Sequence, residues 1–359
     1  MGGSAWDHAL VDLAELEALA AQRLDPVALE YFARGSGDGR TLAENIAAWA
    51  RLSLVPRVLR DVTTVNVATT VLGTPVTSPI LVAPTAMQRF ACDDGELATA
   101  RGAAAAGTVM VVSMAATYSL EDVAAAAPDS PRWAQMYLLR DRGRTRALAE
   151  RARDAGYAAI VASVDGGSVP HGHGGVGTRL VVPPSFRFPN LATPDAPHDP
   201  DLLRMVNDFD PSITFDDLGL FHEWSGLPMV VKGVMRGDDA AACVDAGATA
   251  VIVSNHGGRI VDGCIATADV LAEVVDAVAG RAEVYVDGGI RTGADVVRAL
   301  CLGARAVLVG RPVLWGLVVD GADGVQAVLD DLRAELVRVA AFCGATNLTE
   351  LTRDLVRTG

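Results

Sequence analysis

The sequence predicts one α/β domain built as a closed (β/α)8 TIM barrel, with a helical cap ahead of it and a long insertion after the fourth strand. Three observations carry this fold class. Eight short apolar runs recur at similar intervals, Ala-rich helical stretches separate them, and most of the runs end in a polar or titratable residue. Parallel strands covered on both faces read as continuous apolar runs, and each crossover needs a helix between them.

The candidate strands begin near Ile80, Val109, Trp133, Ala158, Met229, Ala250, Glu283 and Ala306. Successive starts lie 21 to 33 residues apart, except for a gap of 71 after the fourth. An open doubly wound sheet is the alternative, but eight units of similar length favour closure. Residues 9–60 read as helices, so 1–79 form the cap and 80–342 the barrel, all within a single domain spanning 1–359. The last barrel helix is expected over Val325–Phe342, followed by a short tail. The insertion covers 166–226. It is rich in Gly, Pro and His from Gly166 to about Pro200 and turns helical over Phe215–Trp224. Its position suggests a lid over the barrel mouth, with a plain surface insertion as the alternative.

A net charge of −14 argues against nucleic acid and anionic membrane as partners, since both need a basic surface. The five cysteines are scattered and never spaced Cys-x-x-Cys, which disfavours a disulfide framework or zinc site and fits a reducing, cytoplasmic setting. The opening residues lack the basic-then-apolar signature expected of a signal peptide, and no uninterrupted apolar stretch of about 18 residues occurs, so no membrane span is expected. His171-Gly172-His173 with His198 has no spacing that fixes a metal geometry and reads as solvent-exposed.

Chemistry in such a barrel gathers at the C-terminal ends of the strands. Here those ends carry Thr85, Ser113, Gln135 and Tyr137, Asp165, Lys232, His256 and Arg259, Asp287, and Arg311. Lys232 stands out because it is the one lysine among 30 Lys and Arg residues. A compact ammonium on a flexible stem is needed where a planar guanidinium cannot serve. The last two units read as a phosphate cradle, Asp287-Gly288-Gly289-Ile290-Arg291-Thr292-Gly293 and Gly310-Arg311-Pro312. Glycines admit an anion close to backbone N–H groups, a helix N-terminus adds its dipole, and arginines add paired donors. In Ser254-Asn255-His256-Gly257-Gly258-Arg259, the histidine can act as a base and the arginine can hold a carboxylate. Asp165 can pair with the resulting imidazolium. Gly35-Ser36-Gly37-Asp38-Gly39 follows a helix rather than a strand and is no dinucleotide loop.

With these motifs in place, the chain resembles the FMN-dependent 2-hydroxy-acid oxidases and dehydrogenases, among them glycolate oxidase, lactate oxidase and mandelate dehydrogenase. The likeness runs from about Leu24 to the C-terminus. Its marks are Tyr31-Phe32-Ala33-x-Gly35, Ala83-Pro84-Thr85-Ala86-Met87-Gln88, Gln135-Met136-Tyr137, Val231-Lys232-Gly233 and the three strand-end motifs above. The resemblance implies FMN with its phosphate on Gly289, Arg291, Gly310 and Arg311, within the Asp287, Gly288 and Ile290 loop. It implies a flavin ring against Pro84, Thr85, Ala86, Ser113, Gln135, Ser163 and Ser254, with Lys232 beside it. It further implies His256 as base supported by Asp165, Arg259 and Tyr31 on the substrate carboxylate, and Tyr137 on the reacting oxygen.

Two departures bear on the substrate. Ala115 stands where glycolate-oxidising members have tryptophan, which implies a bulky alkyl or aryl hydroxy acid. Gly172 aligns with a lid arginine of the family, so one carboxylate contact is missing there, and His171 or His173 is the candidate replacement. The expected activity is oxidation of an L-2-hydroxy acid, with O2 or another soluble acceptor, in a homo-oligomer of the family's common tetrameric kind. The alternatives are a dehydrogenase with a different acceptor, a Schiff-base aldolase-like barrel using Lys232, and a catalytically degenerate binding protein.

Overall fold

Each apolar run becomes a strand of a closed parallel ring. In chain order these are β4 (Ile80–Val82), β5 (Met110–Ser113), β6 (Arg132–Met136) and β7 (Ala159–Ser163), then β8 (Met229–Val234), β9 (Ala250–Val253), β10 (Glu283–Val286) and β11 (Ala306–Val309). The ring closes as β10-β11-β4-β5-β6-β7-β8-β9. The computed structural model describes residues 12–166, 182–183, 186–192 and 208–358. The predicted lid residues His171, Gly172, His173 and His198 therefore lie outside the described residues, as does most of the first half of the insertion.

Alternation along the strands divides the apolar residues in two. Leu81, Val111, Trp133, Val161, Val230, Ile252, Tyr285 and Leu308 fill the barrel interior, while their strand neighbours pack outward against the helices. The interior is thus a packed core and not a channel. Its N-terminal end is closed by a hairpin of β2 (Thr69–Val71) and β3 (Thr74–Val76), whose Val71 and Val76 join the interior cluster. The two turn residues, Leu72 at φ +46° and Gly73 at φ +77°, both adopt the left-handed conformation that tight hairpins require. Arg305 holds the hairpin through Thr70, so the opposite end of the barrel is the open one.

Three helices precede the ring: α1 (Leu13–Arg23), α2 (Pro26–Ala33) and α3 (Arg40–Arg51). Helix α3 begins after Gly39, which offers no side chain to cap it. The cap comes instead from Asp262, whose carboxylate accepts from the Asp38 and Thr41 N–H groups, both at 2.9 Å. A loop beyond β9 thereby fixes α3 over the barrel mouth.

The structure corrects the bound of one expected element and adds a helix ahead of another. The expected helical stretch 9–60 ends at Arg51, because β1 (Leu52–Leu54) pairs antiparallel with β12 (Val356–Thr358) from the predicted tail. The run Arg311–Phe342 is two helices meeting at non-helical Asp320 and Gly321, and the second contains the expected Val325–Phe342. The run's length and mean hydropathy of 1.2 would suit a membrane span, but 56% of its most apolar stretch is buried inside the protein, as in a core helix.

That helix packs on α4 (Gly95–Ala106) through Gly102. A Cβ there would lie 2.5 Å from the Ala322 carbonyl oxygen and 2.7 Å from Val325. Alanine normally favours a helix interior over glycine by about 1 kcal/mol, whereas overpacking a rigid backbone contact costs about 1–3 kcal/mol. Gly102→Ala should therefore lower the melting temperature; a raised one would show that the two helices separate freely.

Candidate active site

Lys232 enters the mouth because β8 is irregular at its end. Gly233 has φ +107°, and the register against β9 shifts between Lys232 and Val234. Such a bulge re-aims the strand. A Cβ on Gly233 would lie 2.6 Å from the Cβ of Asp165, two residues beyond β7. Glycine thus lets the aspartate settle beside the lysine.

The Lys232 side chain is enclosed, the residue being only 3% exposed. Its Nζ donates to Ser254 Oγ at 3.0 Å and sits 3.5 Å from Asp287 Oδ2 and 3.8 Å from Asp165 Oδ2. Burial opposes the ammonium, yet Asp287 and Asp165 outweigh it and hold the pKa above the ordinary lysine value. For Asp165 burial again opposes charge, and His256 with Lys232 prevails, bringing the carboxyl down to about 2. A lysine held protonated in this way is a poor nucleophile, which counts against the Schiff-base alternative. The Oδ1 atoms of Asp165 and Asp287 are buried and without a hydrogen-bond partner among the described residues.

His256 lies three residues beyond β9 at φ +59°, a strained conformation for a non-glycine residue. Its N–H donates to Ser254 Oγ at 3.1 Å, and its Nδ1 stands 3.1 Å from Asp165 Oδ2. With Nδ1 carrying the hydrogen, Nε2 is the basic nitrogen. The turn is pinned by a reciprocal amide pair: Asn45 and Asn255 exchange two 2.8 Å hydrogen bonds, and Asn255 Oδ1 also accepts from Gly258 N–H at 3.1 Å.

Arg259 and Tyr31 meet at the same rim. The Arg259 NH1 donates to the carbonyls of Tyr31 at 2.7 Å and Arg34 at 3.2 Å, with its guanidinium 5.0 Å from the Tyr31 ring centre. Burial raises the pKa of Tyr31, with Arg259 partly opposing it, and burial followed by Asp165 pushes Tyr137 well above the usual phenol range. Both are neutral hydroxyls. Ala115 is buried one residue after Met114, whose sulfur receives the Tyr137 N–H at 3.0 Å.

The remaining rim residues also converge. Gln135 Nε2 donates to Ser163 Oγ at 3.0 Å, and Ser113 pairs in register with Gln135 as Ser163 does with Lys232. Thr85, in the turn with Pro84 and Ala86, accepts from Gln88 Nε2 at 2.8 Å through its hydroxyl.

At the expected cradle the arginines lie close together, while two of the glycines have the protein's own groups as neighbours. Arg311 donates to the carbonyls of Phe32 and Gly257 at 3.0 Å and of Arg34 at 3.2 Å. Burial, then the charges of Arg259 and Arg291, push its pKa down to about 9. Burial also lowers Arg291, which bonds the Ile290 carbonyl. Cations gathered this closely call for an anion. Gly289, however, is required first by α3: at φ +85° its Cβ would meet the Asn45 carbonyl oxygen at 2.0 Å. Gly288 likewise presents its carbonyl to Trp49 Nε1 at 2.8 Å. The helix after β10 (α10, Gly293–Cys301, counting α5 Leu120–Ala126, α6 Arg142–Asp154, α7 Gly219–Ser225, α8 Gly237–Asp245 and α9 Thr267–Val278) has its Gly293 N–H taken by Glu335 and its Asp295 N–H by Thr292, while Asp295 accepts from the Arg291 and Thr292 N–H groups just ahead of it. The free helix terminus is that of α11 (Arg311–Phe342), where Gly310 makes no side-chain cap and leaves 3.5 Å or more around a would-be Cβ.

Sequence reasoning missed several supports. Asn45 carries no local sequence signal that sets it apart on α3. Glu96 is wholly buried and accepts from Gln88 N–H and Thr117 N–H, both at 3.0 Å, and from the Thr117 hydroxyl at 2.6 Å. It ties the Pro84–Gln88 turn to the Ala115 loop, and nothing in the local sequence distinguishes it from a first-turn glutamate.

The depressed value of Arg311 fixes a sign. Its folded pKa lies below the ordinary one, so the charged guanidinium weakens the ligand-free fold below pH about 9, and that penalty fades as pH rises through this value. An anion in the cradle removes it. Inorganic phosphate should therefore raise the melting temperature of ligand-free protein near neutral pH, less so above about pH 9, and not in Arg311→Met. No gain near neutral pH would contradict the cradle.

Comparison with known proteins agrees with this geometry. The model of the family described as FMN-dependent dehydrogenase matches residues 20–358. The chain is 46% identical to an L-lactate oxidase of Nostoc sp. over 351 residues, 95% of this chain and 96% of the relative. It is 42% identical to 2-hydroxyacid oxidase 1 of Homo sapiens, covering 97% and 96%. Among solved structures, a mandelate oxidase with (S)-2-phenylpropionate superposes with a TM-score of 0.87 at 38% identity, covering 98% of this chain and 99% of that one. A Pediococcus acidilactici lactate oxidase gives 0.87 at 31% identity, covering 98% and 96%. A matched family model over nearly the whole chain, a closed barrel, and a mouth lined by a buried lysine and clustered arginines lead to one conclusion: this chain belongs to the FMN-dependent dehydrogenase family and is an FMN-dependent 2-hydroxy-acid oxidoreductase.

Proposed function

We propose that the protein oxidises an L-2-hydroxy acid with a bulky alkyl or aryl side chain to the 2-oxo acid and passes the electrons to O2. The observation that carries the chemistry is the convergence of Lys232, Asp165 and His256 in one buried cluster at the barrel mouth. FMN, when bound, would supply the acceptor for the two electrons that leave the substrate. Arg291, Arg311 and Gly310 are suited to its phosphate, since the two arginines repel one another and Gly310 leaves open space, and Gly289 lies in the adjoining turn packed on Asn45.

The chain's own residues divide the remaining tasks. His256 Nε2 takes a proton from the substrate, and Asp165 stabilises the imidazolium so formed. Arg259 and Tyr31 hold the carboxylate, the guanidinium by paired donors and the neutral phenol by one more. Tyr137, equally neutral, donates to the reacting oxygen. Lys232 supplies fixed positive charge where reduction deposits negative charge, and because it is already oriented by Ser254 and two carboxylates it need not reorganise.

The substrate reading rests on Ala115. A methyl group at this buried position, next in sequence to the Met114 that meets Tyr137, takes far less space than an indole would. The mandelate oxidase structures similar to this chain include one with (S)-4-hydroxymandelic acid, which supports the aryl end of the range. Removing or adding a few carbons in such a pocket changes rates by roughly 10- to 200-fold. Anaerobic mixing with a panel of hydroxy acids should show mandelate or a long-chain acid bleaching the flavin at least ~10-fold faster than glycolate. Ala115→Trp should invert that order, and air should then restore the colour with release of hydrogen peroxide. Preference for glycolate in the unaltered protein would defeat the substrate assignment.

A further inference from the structure

We infer that Phe209 is a positioning residue for this reaction, setting the plane of the Tyr137 ring and so the direction in which its hydroxyl points. The inference rests on the role proposed for Tyr137. Its starting point is how little the strand itself does for that residue. Tyr137 lies one residue past the end of β6, and its N–H is spent on the sulfur of Met114, a weak acceptor. The orientation of the phenol must come from what surrounds it.

Two sides are covered. At the hydroxyl edge, Gly166 approaches so closely that a Cβ would stand 2.9 Å from the phenol oxygen. On the flat face lies Phe209, stacked with ring centres 4.2 Å apart and planes 26° from parallel. Phe209 is only 6% exposed. Offset stacking of this kind restricts tilt, which an aliphatic side chain of similar size does not.

Phe209 is itself held firmly. Residues 208–210 form an antiparallel bridge with 138–140, centred on Leu139 and Phe209. Arg140 N–H donates to the Asp208 carbonyl at 2.8 Å, and Asp210 N–H to the Leu138 carbonyl at 2.9 Å. Two ion pairs flank the bridge, Arg144 with Asp208 and Arg142 with Asp210, each at 2.7 Å. Both arginines stand in the first turn of α6 (Arg142–Asp154), directly after the strand that delivers Tyr137. A slip of one residue would turn Phe209 to the other side, and the paired bonds and charges prevent it. The return leg of the long connection is therefore registered against the tyrosine by its neighbours in sequence.

The test is a double-mutant cycle on the FMN-loaded enzyme, reading the anaerobic rate of flavin reduction at saturating hydroxy acid, together with bound FMN and melting temperature. Phe209→Leu should slow reduction by roughly 10- to 100-fold, the scale of a small misplacement of a reacting group, while FMN content is kept. Phe209→Tyr, which restores a flat ring, should recover most of the rate. In the Tyr137→Phe background, Phe209→Leu should cost little more, because the hydroxyl it positions is gone. If Phe209→Leu slows both backgrounds by the same factor, or if Tyr at 209 is as damaging as Leu, the positioning role is overturned while that of Tyr137 stands. If Tyr137→Phe alone reduces at the normal rate, the role of Tyr137 falls and the inference with it. Should the leucine protein fail to fold, Phe209→Met takes its place in the same cycle.

Discussion

An ammonium enclosed between two carboxylates governs this molecule's mouth. Taking a charge such as that of Lys232 out of water costs several kcal/mol, and so does each carboxylate beside it. The cluster persists because Asp287, Asp165 and Ser254 surround one Nζ within 3.0–3.8 Å. Two carboxylate oxygens are buried without partners among the described residues, so within them the cluster is incompletely satisfied. Charge groups held in this state are ready to meet a polar, charge-developing ligand with little reorganisation, which is what electrostatic catalysis needs.

The barrel supplies that arrangement by bringing residues far apart in sequence to one rim. Adjacent strands put Ser163 beside Lys232 in register, and the bulge at Gly233 makes room for Asp165. Helix α3 then clamps two working loops at once, the His256 turn through Asn45 and Asn255, and the Gly288–Gly289 turn through Trp49 and the Asn45 backbone. The His256 turn and the Gly288–Gly289 turn therefore share a support, so a disturbance of α3 reaches both.

The eight strands were legible because burial on both faces forces continuous Val, Ile, Leu and Ala runs, and the strand-end residues were legible because nothing in a core calls for them. The lone lysine was a compositional signal with a physical cause. Other parts left no local trace. The hairpin at 69–76 turns on Leu72 in a left-handed conformation, where sequence preference points to glycine or asparagine. Asp262 caps a helix more than two hundred residues earlier, and Glu96, Asn45 and Phe209 acquire their roles from partners on other elements. The paired glycines at 288 and 289 were read as room for an anion, but at Gly289 the tightest approach comes from the protein's own backbone. Side chains carry their chemistry in the sequence; their partners are set by the fold.

The most direct measurement is the reduction potential of the bound flavin in Lys232→Met, a substitution that keeps the side chain's bulk and removes its charge. If the buried ammonium stabilises the negative charge of the reduced cofactor, the potential must fall and reduction by substrate must slow, with FMN still bound. An unchanged potential would mean that the charge cluster shapes the mouth without acting on the chemistry.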